Sequence, residues 1–251
     1  MSRCRYDNGS MESPNAVPLR ALLVDIGGTL VPFDSIDLDW YRSRQLERLA
    51  AAFEDILPWF EPMLDPLLHG TIGPHWEQPT RQRVEVLLHR HEVALTDELF
   101  TRIQAACATY LHEGAGVEDG AYDALVEARR LGIKLAICSD VVWVTGVDAR
   151  SDWQRLGFGE LFDAFVTSED VGYCKPHRAM FETALRELGV NAEAAAMIGD
   201  RPERDIAGAH ALGLRTIWKR PPGFEGPCIP RPDAEVTGWA EVVRVLRQWA
   251  Q

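Results

Sequence analysis

Polar side chains follow several short apolar runs of this chain, and together they could carry out group-transfer chemistry. They are Asp25, Ser139, Asp140, Lys175, Asp200 and Asp205. A carboxylate that attacks phosphorus or an acyl carbon is an anion beside an anionic substrate, so positive charge must lie nearby. Lys175 and a divalent cation would supply that charge. Mg²⁺ prefers a few oxygen ligands, and Asp25 with Asp200 would offer two carboxylates, while the Ser139 hydroxyl would hold a transferring oxygen.

Each of these residues also has a purely structural interpretation. Asp25 precedes two glycines and fits an Asx turn, and Ser139 fits a helix N-cap. Asp205 fits a first-turn carboxylate that complements the helix dipole. Lys175 fits a solvated loop residue, although it is one of only three lysines in a chain that mostly uses arginine. The chemical interpretation therefore depends on the whole set.

The elements that would position these residues alternate between apolar runs and segments with helical spacing. Strands are predicted at Leu19 to Val24, Ile133 to Cys138, Ala164 to Thr167, Ala195 to Ile198 and Leu214 to Trp218. Helices that end at a capping glycine are predicted at Ala121 to Leu131, Met180 to Leu188 and Asp205 to Leu212. The alternation predicts an α/β fold with a doubly wound, mostly parallel sheet. In such folds ligands bind beyond the carboxyl ends of the strands.

Between residues 34 and 117 amphipathic stretches replace the glycine-punctuated strands. They run from Leu38 to Phe53, from Arg81 to His91 and from Asp97 to His112, around a proline-rich stretch from Leu57 to Pro79. We therefore predict a flexible tail at 1–17, an α/β core formed by 18–33 and 118–251, and a helical insertion at 34–117. A proline-rich connection from Pro221 to Pro232 precedes a last helix, Trp239 to Trp249.

Taken together, the motifs resemble those of the haloacid dehalogenase-like hydrolase superfamily. Its members carry an Asp on the first strand, a Ser or Thr after the second, a Lys, and a Gly-Asp followed by a further Asp. Here these are Asp25 in Val-Asp-Ile-Gly-Gly-Thr-Leu, Ser139, Lys175, and Asp200 with Asp205. The resemblance implies a Rossmann-like core, with the insertion forming a cap that closes over the active site.

The resemblance also implies roles for individual residues. Asp25 and Lys175 are expected to be catalytic, with Mg²⁺ as the cofactor. The expected metal ligands are Asp25, Asp200, Asp205 and the backbone carbonyl of Gly27. The expected substrate-binding residues are Gly28, Thr29, Ser139, Asp140 and Lys175.

Gly27 departs from the pattern of the family's phosphatases, which usually carry a second Asp there. That Asp protonates the leaving group and later activates water, a contribution of roughly 10²- to 10⁴-fold. The favoured interpretation is a phosphatase that draws its proton transfer from Asp34, Asp140 or His75, or that acts on good leaving groups such as acyl phosphates.

Two alternatives remain open. Relatives that hydrolyse carbon–halogen or carbon–phosphorus bonds also lack that Asp. The enzymes that cleave carbon–phosphorus bonds need a lysine in the cap, and residues 34–118 contain no lysine, which nearly excludes that activity. The arginine-bearing cap segment of 2-haloacid dehalogenases looks similar to Trp40-Tyr41-Arg42 and Gln45-Leu46-Glu47. These dehalogenases, however, need no metal, and they replace the carboxylate that this chain retains as Asp200. We expect Arg42 to be a helix-surface residue paired with Asp39 or Glu47. The last alternative is a weakly catalytic member that binds a ligand or a partner protein.

Composition narrows the classes of partner. A net charge of -12 without a basic cluster works against nucleic acid and acidic membranes. The five cysteines are widely separated and form no CxxC pair, which favours a reducing cytoplasm. No run approaches the ~18 apolar residues of a membrane span. We expect a small phosphorylated substrate and a monomer or homodimer, with Trp59 and Trp76 as candidates to face that substrate across the cap.

Overall fold

The computed structural model describes residues 17–35, 37–53, 80–90, 92–108 and 110–251. Within them, six strands form one parallel sheet in the order β3-β2-β1-β4-β5-β6. The strands are β1 (Ala21–Val24), β2 (Lys134–Ser139), β3 (Ala164–Thr167), β4 (Ala195–Gly199), β5 (Arg215–Lys219) and β6 (Ala234–Val236). The predicted α/β fold with a largely parallel sheet is confirmed, with β1 near its centre.

Helices flank this sheet on both faces. The α-helices in the described residues are α1 (Leu38–Ala52), α2 (Thr80–Arg90), α3 (Asp97–Cys107), α4 (Ala121–Arg130), α5 (Gly146–Arg155), α6 (Ser168–Val171), α7 (Arg178–Leu188), α8 (Ala207–Ala211) and α9 (Trp239–Trp249), of which the later ones flank the sheet. The helices α4, α5 and α9 cover one face of the sheet, and α7 with α8 covers the other. The sheet is therefore doubly wound.

The central strand shows why apolar runs mark the strands of this sheet. Leu22 and Val24 of β1 belong to the core under α4, α5 and α9, whereas Ala21 and Leu23 belong to the core under α7. All four are fully buried. A strand that is buried on both faces has no polar alternation, so it appears in the sequence as an unbroken apolar run.

The helices α1, α2 and α3 gather a separate hydrophobic cluster that includes Leu49, Val84, Phe100 and Ile103. Trp143, from the loop after β2, is fully buried in the same cluster. The proline-rich stretch from Leu57 to Pro79, with Trp59, His75 and Trp76, lies outside the described residues, as do residues 1–16. No helix in the described part of the chain is long and apolar enough to cross a bilayer.

Several element boundaries differ from the sequence-based predictions. The helix predicted to continue from Asp97 to His112 ends at Cys107, because the N–H groups of Leu111 and His112 donate to the carboxylate of Asp152 instead. The helix predicted from Asp205 is preceded by a π-helix, Pro202–Ile206, which contains that residue. The strand β6 and the helix α5 were not predicted.

Candidate active site

Asp25 lies one residue beyond β1, at the edge of the sheet where parallel strands end. Its Oδ1 accepts a 3.0 Å hydrogen bond from the Ser139 hydroxyl, at the end of β2. The same oxygen accepts a 2.6 Å bond from the ammonium of Lys175. Its Oδ2 lies 3.4 Å from the Thr29 hydroxyl. Because β1 pairs with β2, the first two motifs meet at this edge.

Lys175 links the carboxylates of the site. Its Nζ donates to Asp25 Oδ1 at 2.6 Å, to Asp205 Oδ1 at 2.6 Å and to the Cys138 carbonyl at 2.9 Å. The side chain is buried. Burial opposes its charge, but the carboxylates of Asp205 and Asp25 outweigh that effect and hold the Lys175 pKa well above its ordinary value. Lys175 is therefore a fixed positive charge.

Three buried carboxylates converge beside that ammonium. Asp25, Asp200 and Asp205 each offer one oxygen, and these oxygens all lie within 4.8 Å of one another. Oδ1 of Asp200 is buried and has no hydrogen-bond partner among the described residues. Burial, followed by repulsion from Asp25 and Asp205, raises the pKa of Asp200 from 3.8 to about 7. Convergent hard oxygens, one of them unsatisfied, fit a small divalent cation.

Asp205 is more fully engaged by the protein than Asp200 is. Its Oδ1 accepts from Lys175, and its Oδ2 accepts a 3.0 Å bond from the N–H of Arg201. Burial nevertheless raises its pKa. A Cβ atom on Gly199 would lie 2.3 Å from this carboxyl group, so glycine at the end of β4 makes room for it. Asp205 thus contacts Lys175 directly and lies close to the metal-ligand candidate Asp200.

The glycine loop after Asp25 packs directly against the carboxylate cluster. Gly28 has a φ of 71°, and a Cβ atom on it would lie 2.4 Å from Asp200 Oδ2. Gly27 bridges to Val31 and remains partly exposed. The loop needs glycine for its backbone conformation and for the close approach of Asp200.

Two residues that orient the site were not among the sequence-predicted set. Trp218 Nε1 donates a 2.9 Å bond to the backbone carbonyl of Asp200. Lys219 Nζ donates to the Gly28 carbonyl at 3.1 Å and to Glu118 Oε1 at 2.8 Å. Both residues end β5, which neighbours β4 at the same edge of the sheet. Their position beside a predicted strand end, together with the rarity of lysine, was the signal available in the sequence.

Asp140 lies at the site, but its carboxylate contacts the protein. Its Oδ1 accepts a 2.8 Å bond from the Lys175 N–H, and its Oδ2 accepts a 2.9 Å bond from Arg204. Burial raises the pKa of this carboxyl group. These contacts hold the Lys175 backbone in place, and the predicted contact of Asp140 with substrate stays a prediction.

The other candidates for proton transfer and substrate recognition are spread more widely. Asp34 is exposed on a short 3-10 helix, Phe33–Ser35, and His75 lies outside the described residues. Arg42 is partly buried on α1, whereas Glu47, one of its expected partners, accepts from Arg44 at 3.0 Å. None of the contacts shown for the described residues joins Asp34 to the carboxylate cluster.

A cavity of about 200 Å³ lies near the site, between α1, α5 and the loop after β2. Its lining is mostly apolar and includes Ile26, Gln45, Leu111 and Trp143. None of the charged groups that surround Lys175 lines it. The candidate catalytic groups therefore lie in the carboxylate cluster and do not line this cavity.

The arrangement corresponds to a known family. A family model described as haloacid dehalogenase-like hydrolase matches residues 19–213, a range that contains every motif residue discussed above. The chain belongs to the haloacid dehalogenase-like (HAD) hydrolase family. The resemblance drawn from the four sequence motifs is confirmed.

Curated relatives of this HAD hydrolase are similar over part of their length. A glyceraldehyde 3-phosphate phosphatase from Methanopyrus kandleri is 34% identical over 135 residues, covering 51% of this chain and 55% of the relative. A ribulose-1,5-bisphosphate 5-phosphatase from Halopiger xanaduensis is 37% identical over 110 residues, 44% of each chain. The chain thus spans about half the length of these relatives, so their substrates do not transfer to it directly.

Solved structures share the fold over nearly the whole chain. A HAD phosphatase from Thermococcus onnurineus superposes with a TM-score of 0.60 at 21% identity, covering 91% of this chain and 98% of that one. A 2-haloacid dehalogenase from Pseudomonas syringae gives a TM-score of 0.63 at 23% identity, with 92% and 100% covered. The two neighbours carry the names of different reactions, so the shared fold by itself does not select between them.

Proposed function

We propose that this chain is a Mg²⁺-dependent phosphatase that acts on a small phosphorylated metabolite through an aspartyl-phosphate at Asp25. The observation that carries the proposal is the convergence of Asp25, Asp200 and Asp205 around the buried ammonium of Lys175. The Asp25 carboxylate would attack an anionic substrate, so the repulsion must be offset by positive charge. The Lys175 ammonium and a cation bound to the carboxylate oxygens would supply that charge. The phosphatase names of the curated relatives support the same class.

In this mechanism Asp25 attacks phosphorus through Oδ2, the oxygen that Lys175 and Ser139 leave free. A bond forms between this oxygen and phosphorus, while the bond from phosphorus to the leaving oxygen breaks. Lys175 and the Ser139 hydroxyl hold the carboxylate in place through its Oδ1. Water then attacks phosphorus, releases inorganic phosphate and restores the carboxylate.

The metal would be held by Asp25, Asp200 and Asp205, with the Gly27 carbonyl as a further expected ligand. When bound, Mg²⁺ supplies positive charge that offsets the repulsion between the Asp25 carboxylate and the phosphoryl group. Oδ1 of Asp200 is the best-supported ligand atom, since it is buried and accepts no hydrogen bond from the described residues. Asp205 contributes mainly by fixing Lys175.

The helices α1, α2 and α3 would form the cap at 34–117, over a core of 18–33 and 118–251. Their separate hydrophobic cluster supports this division. Trp143 enters that cluster from the loop that follows Ser139 and Asp140. The cap is therefore joined by packing to the loop that carries the second motif.

Retention of Asp200 argues against the dehalogenase alternative, which works without metal. A panel of aryl phosphates, acetyl phosphate and 2-haloacids, each assayed with and without EDTA, tests the proposal. Phosphate release that needs Mg²⁺ and disappears in Asp25→Asn is the expected result. Halide release that persists in EDTA, or phosphate release equal in wild type and Asp25→Asn, would overturn it.

A further inference from the structure

Phe33 lies at the edge of the site, although no sequence motif includes it. It begins the short 3-10 helix that follows the glycine loop, and 54% of it is exposed. A Cβ atom on Gly27 would lie 3.2 and 3.4 Å from two atoms of its ring, and one on Gly28 would lie 2.7 Å away. The ring therefore covers the space into which a side chain at position 27 would project.

The same ring borders the carboxylate cluster. The position that a Cβ atom on Gly28 would take is 2.7 Å from the Phe33 ring and 2.4 Å from Asp200 Oδ2, so ring and carboxylate face the same small volume. The guanidinium of Arg201 lies 6.0 Å from the ring centroid. An exposed aromatic face thus meets the charged site, with a positive charge beside it.

Among the described residues, two groups beside Asp25 that could donate a proton are already engaged by the protein. Asp140 uses both carboxylate oxygens on Lys175 and Arg204, and the Lys175 ammonium uses its bonds on two carboxylates and a carbonyl. In the described part of the chain, the group that lies over Gly27 is a hydrocarbon ring. A leaving group that rests on this ring receives no proton from it.

We propose that Phe33 is a specificity-determining residue that contacts the leaving group, and that the substrates are phosphates whose leaving group departs as a stable anion. Acyl phosphates and phosphates of acidic phenols belong to this class. The inference rests on the proposed phosphatase function. As Asp25 bonds to phosphorus, the leaving oxygen keeps both electrons of the broken bond and departs as a carboxylate or phenolate. No proton is needed in that step.

A series of aryl phosphates tests this selectivity. The phenols should range from an ordinary pKa of about 10 down to strongly acidic nitrophenols, with acetyl phosphate as the substrate that lacks a ring. We expect kcat/KM to fall steeply as the phenol pKa rises, by roughly 10²- to 10⁴-fold across the series, the usual contribution of a missing general acid. A shallow dependence, combined with clear Mg²⁺-dependent activity, overturns this inference and leaves the phosphatase proposal intact.

The Phe33→Ala variant separates contact with the leaving group from a general loss of activity. We expect KM for aryl phosphates to rise on the order of tenfold, the effect of losing an apolar contact, with little change for acetyl phosphate. Tyr122→Ala is the matched control, since Tyr122 is an aromatic residue of similar exposure on α4. An equal effect of Phe33→Ala on both substrates overturns the assignment.

A second pair of variants tests the space over Gly27. The double variant Gly27→Asp/Phe33→Ala introduces a carboxylate and removes the ring that it would contact. The dependence of kcat/KM on the pKa of the phenol should therefore become shallower. Gly27→Asp with Phe33 retained should flatten it less. If the slope of kcat/KM against phenol pKa is the same with Phe33 retained and with Phe33→Ala, the proposed role of the ring is overturned.

A binding measurement separates the inference from turnover. Calorimetric titration of the Mg²⁺-loaded protein with phenylphosphonate and with methylphosphonate compares a ligand with a ring to one without. We expect Phe33→Ala to weaken phenylphosphonate binding selectively, on the order of tenfold. Equal affinities in wild type and variant overturn the inference even if the protein hydrolyses phosphate esters.

Discussion

The ammonium of Lys175 donates a 2.6 Å hydrogen bond to Asp25 Oδ1, across 150 positions of sequence. This bond engages Oδ1 of the carboxylate, whereas Oδ2 has a 3.4 Å contact with the Thr29 hydroxyl among the contacts of the described residues. In the proposed mechanism, Lys175 fixes Oδ1 of Asp25 by its charge, and Oδ2 is the attacking oxygen.

Lys175→Met should destabilise the protein, because it leaves two buried carboxylates without their cation. Breaking a buried ion pair typically costs about 3–5 kcal/mol. Urea unfolding at pH 8 in EDTA measures the loss. Lys134→Met is the control, since Lys134 contacts only a backbone carbonyl at the protein surface in the described contacts. A loss no larger than that of the control would show that the pairs with Asp25 and Asp205 are not what stabilises this edge.

Asp200→Asn should stabilise the metal-free protein at pH 8. The folded-state pKa of Asp200 is raised from 3.8 to about 7 by burial and by repulsion, so the folded state binds more protons than the unfolded state between those values. Stability therefore falls as pH rises from 4 to 7 and stays low above that. The full shift corresponds to roughly 4 kcal/mol, and the variant should recover much of it. Urea unfolding in EDTA at pH 5 and pH 8 provides the comparison; a wild type equally stable at both values would contradict the prediction.

Mg²⁺ affinity should fall as the solution becomes more acidic than pH 7. A proton on Asp200 competes with the cation, because the pKa of this carboxyl group is about 7 in the metal-free protein. Each pH unit below that value should weaken binding by up to about tenfold. Calorimetric titration with Mg²⁺ from pH 5.5 to pH 8.5 gives the profile, and Asp200→Asn should show weak binding at every pH. Affinity that is constant across this range would exclude Asp200 as a ligand.

Turnover should begin with a burst and continue slowly. In the proposed mechanism, formation of the aspartyl-phosphate uses Asp25 and Lys175, whereas its hydrolysis needs a base that Gly27 does not provide. Loss of such a base costs roughly 10²- to 10⁴-fold. Rapid-quench single-turnover experiments should trap phosphorylated protein, absent from Asp25→Asn. A linear time course without a trapped intermediate would speak against a slow second step.

Lys219→Met should loosen the glycine loop, because Lys219 joins the Gly28 carbonyl to Glu118. Glu118 is partly exposed, so we expect a moderate loss of stability of about 1–3 kcal/mol. Mg²⁺ affinity should fall as well, since Gly28 packs against Asp200. Glu118→Gln is the matched variant that keeps the bond to Gly28. If the two variants bind Mg²⁺ equally well, the bond to Gly28 has no positioning role.

The sequence by itself determined the alternation of strands and helices and the polar residues that end the strands. Asp25, Ser139 and Asp200 each follow an apolar run, and parallel strands present their carboxyl ends at one edge of the sheet. Their meeting could therefore be predicted from order alone. The short strand β6 could not, because three residues, Ala-Glu-Val, carry no measurable periodicity.

Tertiary structure alone decided what each polar side chain contacts. The Asp140 carboxylate accepts a hydrogen bond from Arg204, 64 positions away, a contact that the sequence alone did not indicate. Lys219 and Phe33 became part of the site only when their strand and loop were packed beside Gly28. Local patterns report burial and backbone preference over one element, whereas a hydrogen-bond partner depends on how distant elements pack. For that reason the sequence indicated the kind of site, and the fold decided which groups within it remain free to react.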